Sequence, residues 1–188
     1  MPFVSELLEQ CRVRPAQIEA VAISGGPGSY TGLRVAASSA KGLCYAWGVP
    51  LLAIGSLEVL TYGMQQTVPA DPDGLWCPLI DARRMDVFTA LYDNELHPLL
   101  SPRAETLAED FLEPFIHKPI HFFGTGADKA RFLAKPGRSW RFSSFNSGAE
   151  FLAPLAESAF QSGQFQDLAY FEPFYLKAFF QPGKSPSV

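Results

Sequence analysis

The chain has 188 residues, 47% of them hydrophobic and 18% charged, which is ample apolar matter for one domain or two small lobes and too little charge for a disordered chain. Its net charge of −4 and pI near 5.4 lack the basic excess of a domain that grips nucleic-acid phosphates unaided. The strongest apolar runs, such as Val49–Ile54, fall far short of the roughly 20 residues of a membrane helix.

Met1–Glu6 has neither a basic n-region nor a long apolar core, so no signal peptide is expected. Val4, Leu7, Leu8 and Cys11 recur at i, i+3, i+4 and i+7, the period of an amphipathic helix. After a turn at Pro15, Ile18–Ser24 carries Val21-Ala22-Ile23, a buried-strand pattern. The run Gly25–Gly32 cannot be regular structure. Ser29 or Thr31 can cap a helix running to about Trp47, with Gly48 as its stop. Pro50–Ile54 reads as a second buried strand, and Ser56 as the N-cap of a helix through about Gln66. Thr67–Gly74, rich in Pro, Asp and Gly, is the expected boundary between lobes 1–70 and 71–188.

Beyond it, Cys77–Asp81 and Met85–Tyr92 read as strands joined at Ala82-Arg83-Arg84, and His97, before Pro98, as a turn. Ala104–Ile116 reads as an acidic amphipathic helix with Glu105, Glu109, Asp110 and Glu113 on a solvated face. Pro119–Phe123 is a strand, followed by Gly124-Thr125-Gly126 and a short helix to about Leu133. Trp140–Phe145 is another strand, Glu150–Gln161 a helix, and Glu172–Phe180 is extended. Alternating strands and helices imply an α/β architecture.

Ser24–Arg34 is the most informative stretch: a strand, a glycine turn and a helix N-terminus, a place where free amides and the helix dipole favour anions. Three familiar patterns fail on it or near it. A G-x-G-x-x-G fingerprint from Gly26 needs glycine where Thr31 stands. A nucleophile elbow around Ser29 needs glycine at Pro27. The tail Gly183-Lys184-Ser185 imitates a P-loop end, but its first glycine falls on Ala178 and Pro186 forbids the following helix. In the helix after the turn, Leu33, Ala36, Ala37, Ala40 and Leu43 form one small or apolar face, and Val35, Ser38, Ser39 and Gly42 another. Either can serve the core or a partner.

Metal and redox chemistry find little footing. His117 and His121 have i, i+4 spacing, but Pro119 opposes a helix between them and no third ligand is evident. Cys11, Cys44 and Cys77 are odd in number and widely spaced, as expected of reduced thiols in the cytoplasm. Asp81 is expected to hold its turn, pairing with Arg83 or Arg84.

The words Gly26-Pro27-Gly28-Ser29-Tyr30-Thr31-Gly32-Leu33-Arg34, Ala40-Lys41-Gly42-Leu43, Ser56-Leu57, Asp81-Ala82-Arg83-Arg84, Gly124-Thr125-Gly126-Ala127 and Pro173-Phe174-Tyr175-Leu176-Lys177 resemble, in order and spacing, the TsaB (YeaZ) family. The resemblance spans about residues 4–178, and its first word is the specific one. It implies a two-lobed fold like the actin/Hsp70-type ATPases (ASKHA, ribonuclease H-like). It implies no catalytic residue and no metal in this chain, no cofactor bound by it alone, and ATP used by the complex. The implied partners are TsaD, through the first two helices (Leu7, Leu33, Ala36, Ala37, Ala40, Leu43), then TsaE, a second copy through much the same surface, and tRNA only indirectly.

The implied role is a non-catalytic scaffold of the tRNA threonylcarbamoyladenosine synthase in the cytoplasm. The rivals are an ATP-dependent small-molecule kinase of the same fold, which needs a complete phosphate site, and an M22-type glycoprotease, which needs a zinc site. Family members normally open with an acidic-residue-bearing strand and a hairpin ahead of the first helix, where this chain starts, so its N-terminal lobe is expected to lack three strands. That leaves Val21–Ser24 and Pro50–Ile54 short of neighbours. The chain is therefore expected to be poorly soluble, and a sharp, high-temperature cooperative melt of the isolated chain would contradict this.

Overall fold

The computed structural model describes residues 2–177. Helix α1 (Pro2–Cys11) precedes β1 (Val21–Ser24), α2 (Tyr30–Trp47), β2 (Leu51–Ile54) and α3 (Ser56–Thr67). Then come β3 (Leu75–Asp81), β4 (Asp86–Tyr92), β5 (Pro98–Thr106), β6 (Ile120–Phe123), β7 (Trp140–Ser143) and α4 (Ala149–Gln161). Strands β1 and β2 form a parallel pair, Val21 beside Leu51 through Ser24 beside Ile54. The other strands form a mixed sheet in the order β5-β4-β3-β6-β7, antiparallel on the β5 side of β3 and parallel on the other. The Gly183–Ser185 tail and the end of the expected extended segment lie outside the described residues.

Helix α2 follows local rules closely. Ser29 is its N-cap, its hydroxyl accepting from the Gly32 N–H at 3.3 Å, and Gly48 closes it in the left-handed region at φ 68°. The cap expected of Ser56 is not formed. Gly55 occupies the N-cap position, and the Ser56 hydroxyl instead bonds Ser24 Oγ at 2.7 Å and accepts from the Gly26 N–H at 3.1 Å.

Helix α3 serves both sheets. Leu57, Leu60 and Met64 pack with Trp76, Ala90, Tyr92 and Phe123 of the larger sheet. Val59 joins Leu52, Ile54, Ala156 and Ala159, where α4 returns to cover the β1–β2 pair. Residues after 71 therefore do not all stay on the larger sheet: α4 belongs to the core of the first. The other face of the larger sheet buries Cys77, Leu79, Val87, Leu91 and Phe122.

The helix expected over Ala104–Ile116 is absent. Residues to Thr106 extend β5, pairing with β4 from Asp86–Thr106 to Tyr92–Pro98, and only a single 3-10 turn, Glu113–Phe115, follows. Tertiary pairing overrides helical periodicity here, because β4 needs a partner on its outer edge and Leu112, at φ 57°, cannot continue a helix. Glu105 thus lies on a strand beside Arg103, not on a helix face.

Two glycines distinguish packing from permissiveness. A Cβ on Gly63 would sit 2.8 Å from the Phe151 ring and 3.1 Å from Phe145, whereas one on Gly42 meets nothing within 4 Å. Gly63→Leu should lower the urea unfolding free energy by about 2 kcal/mol through overpacking, and Gly42→Ala should raise it by about 0.5–1 kcal/mol.

Candidate functional site

The glycine turn is held from four sides. Gly25 N–H donates to Ile54 O at 2.7 Å, Ser56 N–H to Gly26 O at 2.8 Å, and Phe174 N–H to Gly25 O at 2.8 Å, besides the Gly26–Ser56 bond described above. Gly26 adopts φ 110°, and a Cβ there would lie 2.5 Å from Phe174 O, so no other residue fits without moving the tail. The N–H groups of Gly25, Gly26 and Gly32 are spent inside the protein, and Pro27, after a cis peptide, has none. The first half of the turn, Gly25–Pro27, is therefore a buttress.

In front of it lies an inter-lobe cleft of about 670 Å³. Its walls are the turn residues Gly28, Ser29, Tyr30 and Thr31, the β3–β4 hairpin (Asp81–Arg83), and Phe174–Lys177. Tyr30 packs on Tyr175 with ring centroids 4.9 Å apart, and the Arg34 guanidinium lies over Tyr30 at 4.9 Å. The tail is a strap across both lobes. Gln166 N–H donates to Leu51 O at 2.9 Å. Lys41 Nζ on α2 donates to Ala169 O and Phe171 O at 3.1 and 3.3 Å, and Lys177 Nζ reaches Asp86 Oδ2 at 2.5 Å.

The cleft's carboxylate, Asp81, and Asp86, which holds Lys177 of the cleft wall, are both paired. Asp81 Oδ1 accepts from Lys129 Nζ at 2.6 Å and from the Arg83 N–H at 2.7 Å. This corrects the expectation of a guanidinium partner: Arg83 contributes only its backbone, held at φ 69°. Asp86 takes Lys177 and the Thr106 hydroxyl, the latter at 2.5 Å. The lysine hydrogen bond is the largest cause in each case, and both carboxyls are held below their usual range. Such groups contribute stability that is present above the ordinary carboxylate pKa and lost as pH falls through the depressed one. Lys129, Asp86 and Thr106 carry no local sequence signal, because they meet only through the fold, whereas Tyr175 and Lys177 stand in the Pro173–Lys177 word.

The expected partner face divides. Leu7 on α1 is 58% exposed. Leu33, Ala37 and Ala40 are buried in this chain's own core, Ala40 with Cys44 and Leu51, so they do not form an open face. Ala36 and Leu43 are half-buried. The open face is the second one: Val35 (61% exposed), Ser38, Gly42 and Tyr45 (85% exposed), with Thr31 and Arg34 at its N-terminal end. Helical phase gave both faces, and only the position of β1 and β2 decides between them.

Of the histidines, His117 is exposed, and His121 stacks on Trp76 and shares a 2.8 Å hydrogen bond with Ser143 Oγ. Among the described residues the one group of three potential metal ligands is Asp93, Glu95 and His97, on an exposed turn whose own N–H groups donate to Asp93. All three cysteines are free thiols, and no described helix is long and apolar enough to cross a membrane.

A family model described as TsaD, tRNA N6-adenosine threonylcarbamoyltransferase, matches residues 1–179. The tRNA threonylcarbamoyladenosine biosynthesis protein TsaB of Bacillus subtilis (strain 168) is 36% identical over 128 residues, 66% of this chain and 54% of that protein. The tRNA N6-adenosine threonylcarbamoyltransferase of Anaeromyxobacter dehalogenans (strain 2CP-C) is 43% identical over 58 residues, 31% of this chain and 17% of that protein. The chain thus spans about half the length of the first of these relatives and less of the second. Two solved structures share the fold. One, an uncharacterized protein with similarity to peptidase YEAZ from Pseudomonas aeruginosa, has a TM-score of 0.77 at 24% identity, covering 94% of this chain and 82% of its own. The other, YeaZ from Pseudomonas aeruginosa, has a TM-score of 0.72 at 24% identity, covering 92% and 82%. The fold is the actin/Hsp70-like α/β fold.

The strap gives a graded test by limited proteolysis. Gly26→Ala should free the segment after Gln166 for rapid cleavage and cost about 1–3 kcal/mol of stability. Lys177→Ala should cost at most about 1 kcal/mol and accelerate cleavage far less.

Proposed function

The chain belongs to the tRNA N6-adenosine threonylcarbamoyltransferase family, in its TsaB (YeaZ) branch, and from that premise we propose that it is a non-catalytic subunit of the machinery that places threonylcarbamoyl on tRNA. In this reading it binds TsaD through α1 and the outward face of α2, and the assembly, with TsaE, uses ATP in the cytoplasm. A homodimer through much the same surface competes with TsaD.

The observation that carries the reading is the open helical face. On α2, Val35 and Tyr45 are exposed apolar or aromatic side chains separated by Ser38 and Gly42, where a partner backbone can approach closely, and α1 separately exposes Phe3 and Leu7. The cleft supports a non-catalytic role. Its carboxylate, Asp81, is engaged by Lys129 of the same chain, Asp86 beside it by Lys177, and the amides of Gly25, Gly26 and Gly32 are spent internally. The net charge of −4 supports an indirect relation to tRNA.

Co-elution with TsaD and a tRNA threonylcarbamoylation assay test this. Val35→Asp and Tyr45→Glu should each weaken TsaD binding at least about tenfold, with unchanged melting temperature. Ala37→Glu should instead unfold the chain, because it buries a charge in this lobe's own core. Undiminished co-elution of both surface variants would overturn the assignment of the face.

A further inference from the structure

Tyr45 on α2 and Tyr170 on the strap are each 85% exposed. A single exposed aromatic side chain is ordinary. Tyr170 differs in how its backbone is held. Asp167 Oδ1 accepts from the Ala169 and Tyr170 N–H groups at 2.9 and 3.1 Å, and Asp167 O accepts from the Phe171 N–H at 2.8 Å. The carbonyls on either side of it, Ala169 O and Phe171 O, both take the Lys41 ammonium. Leu168 and Phe171 turn inward onto Ala40, Cys44 and Leu51. The turn is thus ordered from within and from α2, and the large side chain it leaves outside is a tyrosine.

Lys41 also fixes where that tyrosine stands. Arg34, Ser38, Lys41 and Tyr45 recur at i, i+4, i+7 and i+11 and so share one side of α2. The strap reaches that side twice, at Lys41 and, through the Tyr175 ring, at Tyr30. From Tyr30 to Lys41 the helix rises about 16 Å, and extended backbone from Tyr170 to Tyr175 spans about the same length. The strap therefore runs alongside α2 in the opposite direction, and Tyr170 borders the open face of Val35, Ser38, Gly42 and Tyr45. Tyrosine is among the residues that carry most interface energy, and an anchor on backbone already ordered loses least entropy on binding.

We infer that Tyr170 belongs to the surface that receives TsaD, as a second aromatic anchor beside Tyr45, and that Lys41 is the residue that positions it. This rests on the docking of TsaD on α2 proposed above and extends the contact from the helix onto the strap.

The test measures the affinity of the 188-residue chain for TsaD of the same source by calorimetry, with the melting temperature of each variant as control. Tyr170→Ala should weaken binding at least about fivefold, and Tyr170→Phe, which keeps the ring, by less than about twofold, both without change in melting. Lys41→Met should weaken binding several-fold, and in that background Tyr170→Ala should cost less than it does alone, because one residue acts through the other. Full additivity of the two would overturn the part assigned to Lys41. Val35→Asp separates this contact from the reading it rests on. Weakening by Val35→Asp with an unaffected Tyr170→Ala variant overturns the strap contact and leaves the α2 face standing. Weakening by Tyr170→Ala with an unaffected Val35→Asp variant keeps the strap contact and removes the α2 face. No effect of either, or no binding by the parent chain, overturns both. Should Lys41→Met melt differently from the parent, the Tyr170 pair of variants decides in its place.

Discussion

Helix α3 is the constraint on which both lobes depend. It is buried on two flanks, one against Trp76 and Phe123 and the other against β2 and α4. A helix so enclosed cannot place polar groups freely. Its interior threonine, Thr61, is fully buried and donates to Leu57 O at 2.7 Å, so its hydroxyl is satisfied within the helix. Gly63 supplies the gap into which the Phe151 ring packs. The β1–β2 pair is covered on one side by α2, through Ala40 and Cys44, and on the other by α3 and by α4, which the chain contributes a full sheet later. Each sheet also has a core cluster on its other face, Cys77 to Phe122 on the larger and Ala40, Cys44 and Leu51 on the smaller, so α3 is what joins the two rather than the whole core of either.

The glycine turn and the strap are consequences of that arrangement. With β2 leading straight into α3 through Gly55, Ser56 stands opposite the end of β1 and ties it down, while the strap crosses the same point and bonds Gly25. Two residues after β1 ends, at Gly26, the backbone passes so close to Phe174 that a hydrogen must stand in place of a side chain. The two glycines that open the word, Gly25 and Gly26, are thus explained by a three-way crossing of strand, helix start and tail.

Much of this was legible. The cap and stop of α2, the strands up to Tyr92, and α4 all follow from short-range rules, because turn residues and apolar spacing agree there with the final packing. The failures share a cause in long-range partners. The stretch 104–116 has helical spacing, yet its first residues complete a hairpin with β4, and Leu107, Phe111 and Leu112 fill core space as irregular backbone. Ser56 has a cap's identity but a better acceptor role across the strands. For the site, the glycine word, the Asp81 turn and the Pro173–Lys177 word were visible, whereas Lys129, Asp86 and Thr106 join the pairs beside the cleft from three separate segments. The open face of α2 was visible only as one of two, since helical phase says which residues share a side but not which side the sheet will take.

Lys41 has a consequence beyond packing. From α2, whose other side faces solvent, its ammonium grips two carbonyls of the strap, and eight residues past Ala169 that strap ends on the hairpin of the opposite lobe. The helix and the cleft wall therefore share a mechanical tie. If a partner docks on α2 as proposed, anything that shifts the strap would change its affinity, and the docked partner would resist that shift by the same factor.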